Sequence, residues 1–350
     1  MAAFMEEDAA DDALLVERID AKLREDYGLS KMGSSIVRTW IRAMAKEVDD
    51  ETIEAKDRKL ERARRWLFRQ LIGKCPEPPA SEWQRGCPEL VPGLRTIAKW
   101  SPEKDLSRGC SELRNALQSL EASVDVVRGE LENALRRCGK TFQPYRAPTW
   151  ANPTRPDKDG LGSLGHDSGD WNVLYLKLHN VSCDGVLDSF PKTLALLDAI
   201  PGLYPHAFFS SMSPSTHIAK HNGPSNKKLR VHLPIIVPSE GTDASSPCRL
   251  RVGRTVHEFK EGELFIFDDS FDHEAWNDHP SRSRVCLIVD IWHPDFSAPE
   301  IKFMSFLEKG KLKRAKRMCE QAEGDLGDNF YALLKKTKQV KVSTDSILGR

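Results

Sequence analysis

From Trp171 to Trp292 the apolar residues tend to recur at every second position, in short runs cut by turn residues. No other feature limits the fold of this chain as much. The runs WNVLYLKL, HAFFSSM, THIAKH, KLRVHLPIIV, CRLRVG, TVHEF, ELFIFDD and SRVCLIVDIW are rich in β-branched and aromatic residues, and Pro-Ser-Asn, Pro-Ser-Glu-Gly and Glu-Gly steps separate them. A single helix-like run intervenes, PKTLALLDAI, which Pro201-Gly202 ends. Many short, evenly spaced strands predict an antiparallel sandwich or jelly roll rather than a parallel α/β sheet. The preceding stretch FQPYRAPTWANPTRPDKDGLG is rich in Pro and Gly and reads as an extended lead-in that starts near residue 142.

The flanks have a different period. Residues 12–72 read as helical: Leu14, Leu15, Ile19 and Leu23 mark one face, and Ile36, Trp40, Ile41 and Met44 repeat at three and four residues. Pro76, Pro78, Pro79, Pro88 and Pro92 interrupt the pattern, and a second helical block is expected over roughly 94–137. The tail, 301–350, returns to helical and basic character in KGKLKRAKR and reads as a solvated helix face or a flexible tail. The expected organisation is therefore α+β: a helical region over 1–141, a jelly-roll domain over 142–298 and a basic helical tail over 299–350.

Composition removes several function classes. Lys+Arg and Asp+Glu are both 52, so charge offers no argument for nucleic acid as a partner. No apolar stretch of about 18 residues suggests a membrane span, and MAAFMEEDAADD lacks the basic and apolar parts of a secretory signal. The expectation is a cytoplasmic protein without a transmembrane segment. Eight cysteines without a CxxC pair suit reduced thiols better than disulfides or a cysteine-held zinc.

The chemistry-bearing residues lie in the β region. In KLRVHLPIIV, alternation puts Arg230, His232 and Pro234 on one face and Leu229, Val231 and Leu233 on the other. In SRVCLIVDIW, Arg284, Cys286, Ile288 and Asp290 share a face. If these faces point into a barrel, each guanidinium needs a partner, because an unpaired buried cation is costly. An internal salt bridge to Asp290 or Asp268 is the simple answer for one arginine. Two arginines and a histidine converging on one interior favour a dicarboxylate ligand. His221, in HIAKHNGPSN, ends one strand-like run, and His273, in DDSFDHEAW, follows another. Two imidazoles from distant segments, with open positions beside them, suit non-haem iron. The usual triad adds a carboxylate two residues after the first histidine, where this chain has Gly223. His217 is four residues before His221, a separation of about 13 Å along a strand, too far to share a metal. It reads as a surface or packing residue, as do His166, His179, His206, His257, His279 and His293.

The segments HNGPSN (His221–Asn226), KLRVH (Lys228–His232), FDDSFDHEAW (Phe267–Trp276) and VDIWHP (Val289–Pro294), with FQPYRAPTW and Gly169–Trp171 ahead of them, resemble the aspartyl/asparaginyl β-hydroxylase family. The resemblance covers residues 142–296. It implies a double-stranded β-helix (jelly roll) that uses Fe(II), 2-oxoglutarate and O2 to hydroxylate a C–H, with Asp or Asn in a peptide or protein as substrate. It also accounts for Gly223, since the family binds iron through two histidines and carries a glycine in the acid's place. By the same resemblance His221 and His273 are the iron ligands, and Arg284 holds the far carboxylate of 2-oxoglutarate with help from Ser210. Met212 and Trp171 line the cosubstrate pocket, Arg230 and His232 serve a carboxylate of cosubstrate or substrate, and Asp269 orients an iron-bound water. EAWNDHPSRS is one residue longer than the family pattern, which makes Arg282 a rival to Arg284. Arg284 is preferred because it opens the apolar strand. Two other readings are a hydroxylase of a lipid or small molecule on the same scaffold and a catalytically silent binding module. A zinc protein is weaker, having only two good ligands.

Overall fold

The computed structural model describes residues 19–49, 60–72, 79–106, 110–137, 142–149, 162–179, 187–239, 245–321, 329, 331–332 and 343–348. It divides into two compact units. The larger holds residues 79–90, 95–294 and 332–350.

The larger unit is built on two antiparallel sheets. In chain order the strands are β1 (Lys99–Trp100), β2 (Gln143–Pro144), β3 (Arg146–Ala147), β4 (Ser163–Leu164), β5 (His166–Ser168), β6 (Trp171–Leu178), β7 (Leu203–Met212), β8 (Thr216–His221), β9 (Lys228–Ile236), β10 (Cys248–Val252), β11 (Thr255–Glu258), β12 (Phe265–Phe267), β13 (His273–Asn277) and β14 (Arg284–Trp292). The large sheet runs β1-β12-β9-β14-β7-β6-β2 and the small one β11-β10-β13-β8-β5, with β3 and β4 forming a separate pair. From β7 to β14 successive strands cross between the sheets, except at the β10–β11 hairpin, so that β7 and β14, then β8 and β13, then β9 and β12 pair. That nested pairing is the double-stranded β-helix, the jelly roll that short alternating strands predict.

Every residue of β14 is buried, and all of β9 except Arg230. Both strands therefore have two covered faces. On the outer face Leu229, Val231, Leu233, Leu287, Val289 and Ile291 join Leu113, Leu117, Leu131 and Leu197 in one apolar cluster. Helices Ser111–Ala122, Val124–Arg137 and Pro191–Asp198 thus cover the large sheet. Each fully buried leucine contributes roughly 1.5–3 kcal/mol. The inner face carries Phe208, Met212, Cys286 and Ile288, which meet Cys248, Leu250, Ala275 and the phenylalanines at 259, 265 and 267. Arg230 and His232 belong to this inner face, as alternation requires.

Two expectations need correction. The helical block expected from residue 94 begins only at Ser111. Lys99 and Trp100 instead pair with Phe267 and Ile266 as an edge strand, because the exposed ladder of β12 outweighs local propensity. The end of the tail is also not simply solvated. Ile347 is 1% exposed and joins the sheet–helix core, and the Ser283 amide donates to Ser346 O at 2.9 Å.

The smaller unit contains residues 1–78, 91–94 and 295–331. Its described part is helical: residues 19–27, Lys31–Asp49, Glu61–Ile72 and Ala298–Gln321. Trp40 packs on Phe303 with ring centroids 5.8 Å apart, and Arg62 pairs with Glu300 at 3.4 Å. The expected helical residues 12–18 and 50–59 lie outside the described part. No helix among the described residues is long and apolar enough to cross a membrane.

Candidate active site

Strands β8 and β13 pair so that His221 stands directly opposite His273. Their ring centroids are 4.2 Å apart. The Nδ1 of His221 lies 2.8 Å from Ala219 O, and the Nδ1 of His273 lies 2.9 Å from Phe271 O. A carbonyl can only accept, so both protons sit on Nδ1 and both Nε2 atoms keep a lone pair. Backbone carbonyls that fix the tautomer in this way are the usual outer support of metal-binding histidines. Burial lowers both pKa values from the ordinary histidine range, His273 well below it. The rings are therefore neutral at neutral pH, the form that binds a metal.

Gly223 follows His221 by two residues. A Cβ at Gly223 would stand 2.5 Å from Asp269 Cγ, and the Gly223 amide donates to Asp269 O at 2.5 Å. The space that an acid at 223 would fill belongs to a carboxylate from another part of the chain. Asp269 is fully buried and pairs with Lys228 at 2.7 Å and Arg230 at 3.2 Å. Its Oδ1 is buried and has no hydrogen-bond partner. Among the described residues no group of three or more His, Cys, Asp or Glu is placed to hold a metal.

Arg230 and Lys228 also reach Asp290, at 2.9 Å and 3.0 Å. Burial alone would raise the Asp290 carboxyl, but Arg230 and Lys228 outweigh it and hold the group well below the usual carboxylate range. His206, expected to be a surface or packing residue, donates from Nδ1 to Asp290 Oδ2 at 2.7 Å and joins the same network. Two cations thus face two carboxylates, and Arg230 has the internal salt bridge that alternation left open.

Arg284 is different. It is 1% exposed, its Nε and Nη1 have no hydrogen-bond partner, and its Nη2 points at Met212 Sδ. The guanidinium sits over the Phe259 ring, 4.8 Å from the centroid. On the same inner face, both ring nitrogens of His232 lack partners. Burial, then Arg284 and Arg230, hold the pKa of His232 well below the ordinary value. Ser210 Oγ accepts from Trp171 Nε1 at 3.0 Å, which leaves its own O–H free to donate. Trp171 and Arg284 both pair with Met212 across the sheet, and Ser210 lies two residues before Met212 on the same strand. Arg282 is only half-buried and lies before β14 begins.

With this geometry in view, comparison with known proteins gives a family. Residues 121–294 match the model of the aspartyl/asparaginyl β-hydroxylases. Through this segment the chain belongs to the aspartyl/asparaginyl β-hydroxylase family. The human aspartyl/asparaginyl β-hydroxylase is 31% identical over 222 residues, 62% of this chain but 25% of that protein. The ornithine lipid ester-linked acyl 2-hydroxylase of Rhizobium tropici is 34% identical over 179 residues, 50% of this chain and 56% of that protein. This chain therefore spans between a quarter and somewhat over half of these relatives. A prolyl-4-hydroxylase from Pseudomonas putida overlaps with a TM-score of 0.26 at 15% identity, over 50% of this chain and 98% of that one.

The candidate site also contains residues outside those expected from the sequence. Lys228 could have been found, since it is two residues before Arg230 and must share its face. His206 could not, because nothing in HAFFSSM marks its bond to Asp290. The segment around Trp83 and Gln84, which bonds to both histidine-bearing loops, carries no motif at all.

Proposed function

We propose that this chain is an Fe(II)- and 2-oxoglutarate-dependent dioxygenase that hydroxylates a C–H, the β-carbon of Asp or Asn residues in a peptide or protein. The observation that carries the reading is a combination. Two neutral imidazoles face each other with free Nε2 atoms, and the same barrel holds a buried guanidinium that no carboxylate partners. A buried, unpaired cation is costly without an anionic ligand, and its planar fork suits a carboxylate.

His221 and His273 would hold the iron through Nε2. When bound, iron with 2-oxoglutarate and O2 supplies the oxidising chemistry, splitting the keto acid to succinate and carbon dioxide while one oxygen atom goes to substrate. Arg284 pairs with the far carboxylate of the keto acid, and the Ser210 hydroxyl donates to the same group. Trp171, Met212 and Phe259 keep this end dry, which strengthens the pairing. His232, neutral and with both nitrogens free, would accept from or donate to a carboxylate of cosubstrate or substrate. Asp269 Oδ1, unpartnered next to Gly223, would accept a hydrogen bond from a water at the metal site and so fix its orientation. Lys228 and Arg230, held by Asp269 and Asp290, would offer positive charge to a carboxylate or amide on the substrate. Five cysteines among the described residues, 87, 110, 248, 286 and 319, are free thiols, which fits a reducing compartment.

The lipid hydroxylase from Rhizobium tropici keeps a second substrate class in view: a non-peptide carrying an acyl C–H. One experiment separates the two. Purified protein with Fe(II), ascorbate and 2-oxoglutarate is offered peptides rich in Asp and Asn, and separately acylated lipids. Succinate release with a gain of one oxygen on the peptide supports the proposal. Release that depends on lipid alone moves the substrate class, and release with neither, at full metal loading, removes the enzymatic reading.

A further inference from the structure

We infer that the segment 81–89, which precedes the family match, is a clamp that sets the spacing of the two imidazoles. This rests on the reading that His221 and His273 hold a metal. The pairing of β8 with β13 is irregular just where it matters: the register shifts between His273 and Ala275. At a bulge the ladder is locally broken and the strand bends, so strand pairing alone leaves the relative position of the two rings underdetermined. The clamp supplies what the ladder lacks. A single carbonyl, Trp83 O, accepts from Asn222 Nδ2 at 2.9 Å and from the Asp272 amide at 2.7 Å. Asn222 directly follows His221 and Asp272 directly precedes His273. Asn222 Nδ2 also donates to Ser270 O at 2.8 Å, and Gln84 Nε2 donates to Ser270 Oγ at 2.7 Å. Gln84 is 2% exposed and Ser270 fully buried, so these bonds do not exchange freely with water.

The clamp is fastened at both ends. On one side the Trp83 ring lies 5.9 Å from the Arg251 guanidinium and 5.8 Å from that of Arg254. On the other, Glu89 bridges to Ser225 in parallel and pairs with Lys227 at 2.9 Å. Between them Gly86 passes so close to Asn222 that a Cβ there would collide with Asn222 Oδ1. Asn222, Gln84 and Gly86 are positioning residues that act through the two histidines. Their loss lowers metal affinity without removing a ligand.

That collision gives the test. Metal-free wild type, Asn222→Ala, Gly86→Ala and the double variant are titrated with Mn(II), followed by electron paramagnetic resonance. Hydrogen exchange reads residues 79–90 and 216–223, and urea midpoints verify that each variant is folded. Each single variant is expected to weaken Mn(II) binding at least about tenfold and to speed exchange in both segments. The double variant is expected to bind no worse than Asn222→Ala, because the Gly86→Ala methyl then has nothing to strike, a coupling characteristic of residues in contact. Gln84→Met, which removes one bond and adds no clash, is expected to lose affinity severalfold and serves if the others do not fold. His217→Ala, which removes the outward ring stacked on Trp276, is expected to bind as wild type. Wild-type affinity in all the clamp variants, or additive losses in the double variant, overturns the clamp alone. If wild type itself binds no Mn(II), the metal reading fails and the clamp fails with it.

Discussion

Arg284→Met is expected to make the empty protein more stable and the cosubstrate weaker, two effects that a structural arginine would not combine. The guanidinium is 1% exposed with Nε and Nη1 unpartnered. Each buried donor left unmade costs about 1–3 kcal/mol, so the pair costs roughly 2–6 kcal/mol. A methionine of similar length repacks the site for less than about 1.5 kcal/mol. The net expectation is a gain of about 1–4 kcal/mol in the unfolding free energy of the metal-free protein, the range seen when buried ions give way to apolar side chains. On the binding side, two charge-assisted hydrogen bonds to a carboxylate contribute about 1.5–3 kcal/mol each. Losing even about 3 kcal/mol weakens binding at least about a hundredfold. Urea unfolding of the metal-free protein reads the first effect, and calorimetric titration of 2-oxoglutarate into Mn(II)-loaded protein reads the second. Arg282→Met should leave 2-oxoglutarate binding unchanged. A metal-free Arg284→Met protein that is less stable than wild type and binds 2-oxoglutarate as well would refute the reasoning.

Three further outcomes follow from the same geometry. Asp290→Asn strips the carboxylate from Lys228, Arg230 and His206 together, and urea unfolding at neutral pH should show a loss of about 3–5 kcal/mol. His232 has a folded pKa depressed below its unfolded value, so between the two the unfolded chain binds the extra proton. Its contribution is therefore present above the unfolded value of about 6.5 and lost as pH falls below it. Urea midpoints of His232→Asn should accordingly decline less steeply than wild type below that pH, and parallel curves would count against the assignment. Gly223→Asp drives its Cβ into Asp269 and should weaken Mn(II) binding at least about tenfold, whereas Gly223→Asp in an Asp269→Gly background should recover it.

How much of this could be read beforehand differs from residue to residue. Alternation alone placed Arg230 and His232 on one side of β9 and Leu229, Val231 and Leu233 on the other, because the period of two is a property of the extended backbone. Burial on both faces of β9 and β14 then distinguishes a covered jelly roll from a half-wet sheet. The edge strand at Lys99–Trp100 was not legible. Two residues carry no period, and their conformation depends on a ladder far along the chain, Lys99 opposite Phe267 and Trp100 opposite Ile266. Gly223 was legible as a missing ligand but not as a glycine enforced by Asp269, since that contact joins two distant loops. The clamp was the least visible. Trp83, Gln84 and Gly86 act through a carbonyl, an amide and the lack of a side chain, and none of these has a sequence signature.

The central claim is that His221 and His273 alone, among protein side chains, bind one iron beside an anchored keto diacid. The most direct measurement is anaerobic Fe(II) titration of the purified chain with 2-oxoglutarate present, followed by the visible charge-transfer band of an iron–keto-acid chelate. One equivalent of iron should saturate the band in wild type, and His221→Ala and His273→Ala should each abolish it. A band that persists in either variant, or iron binding without any band in wild type, would contradict the account.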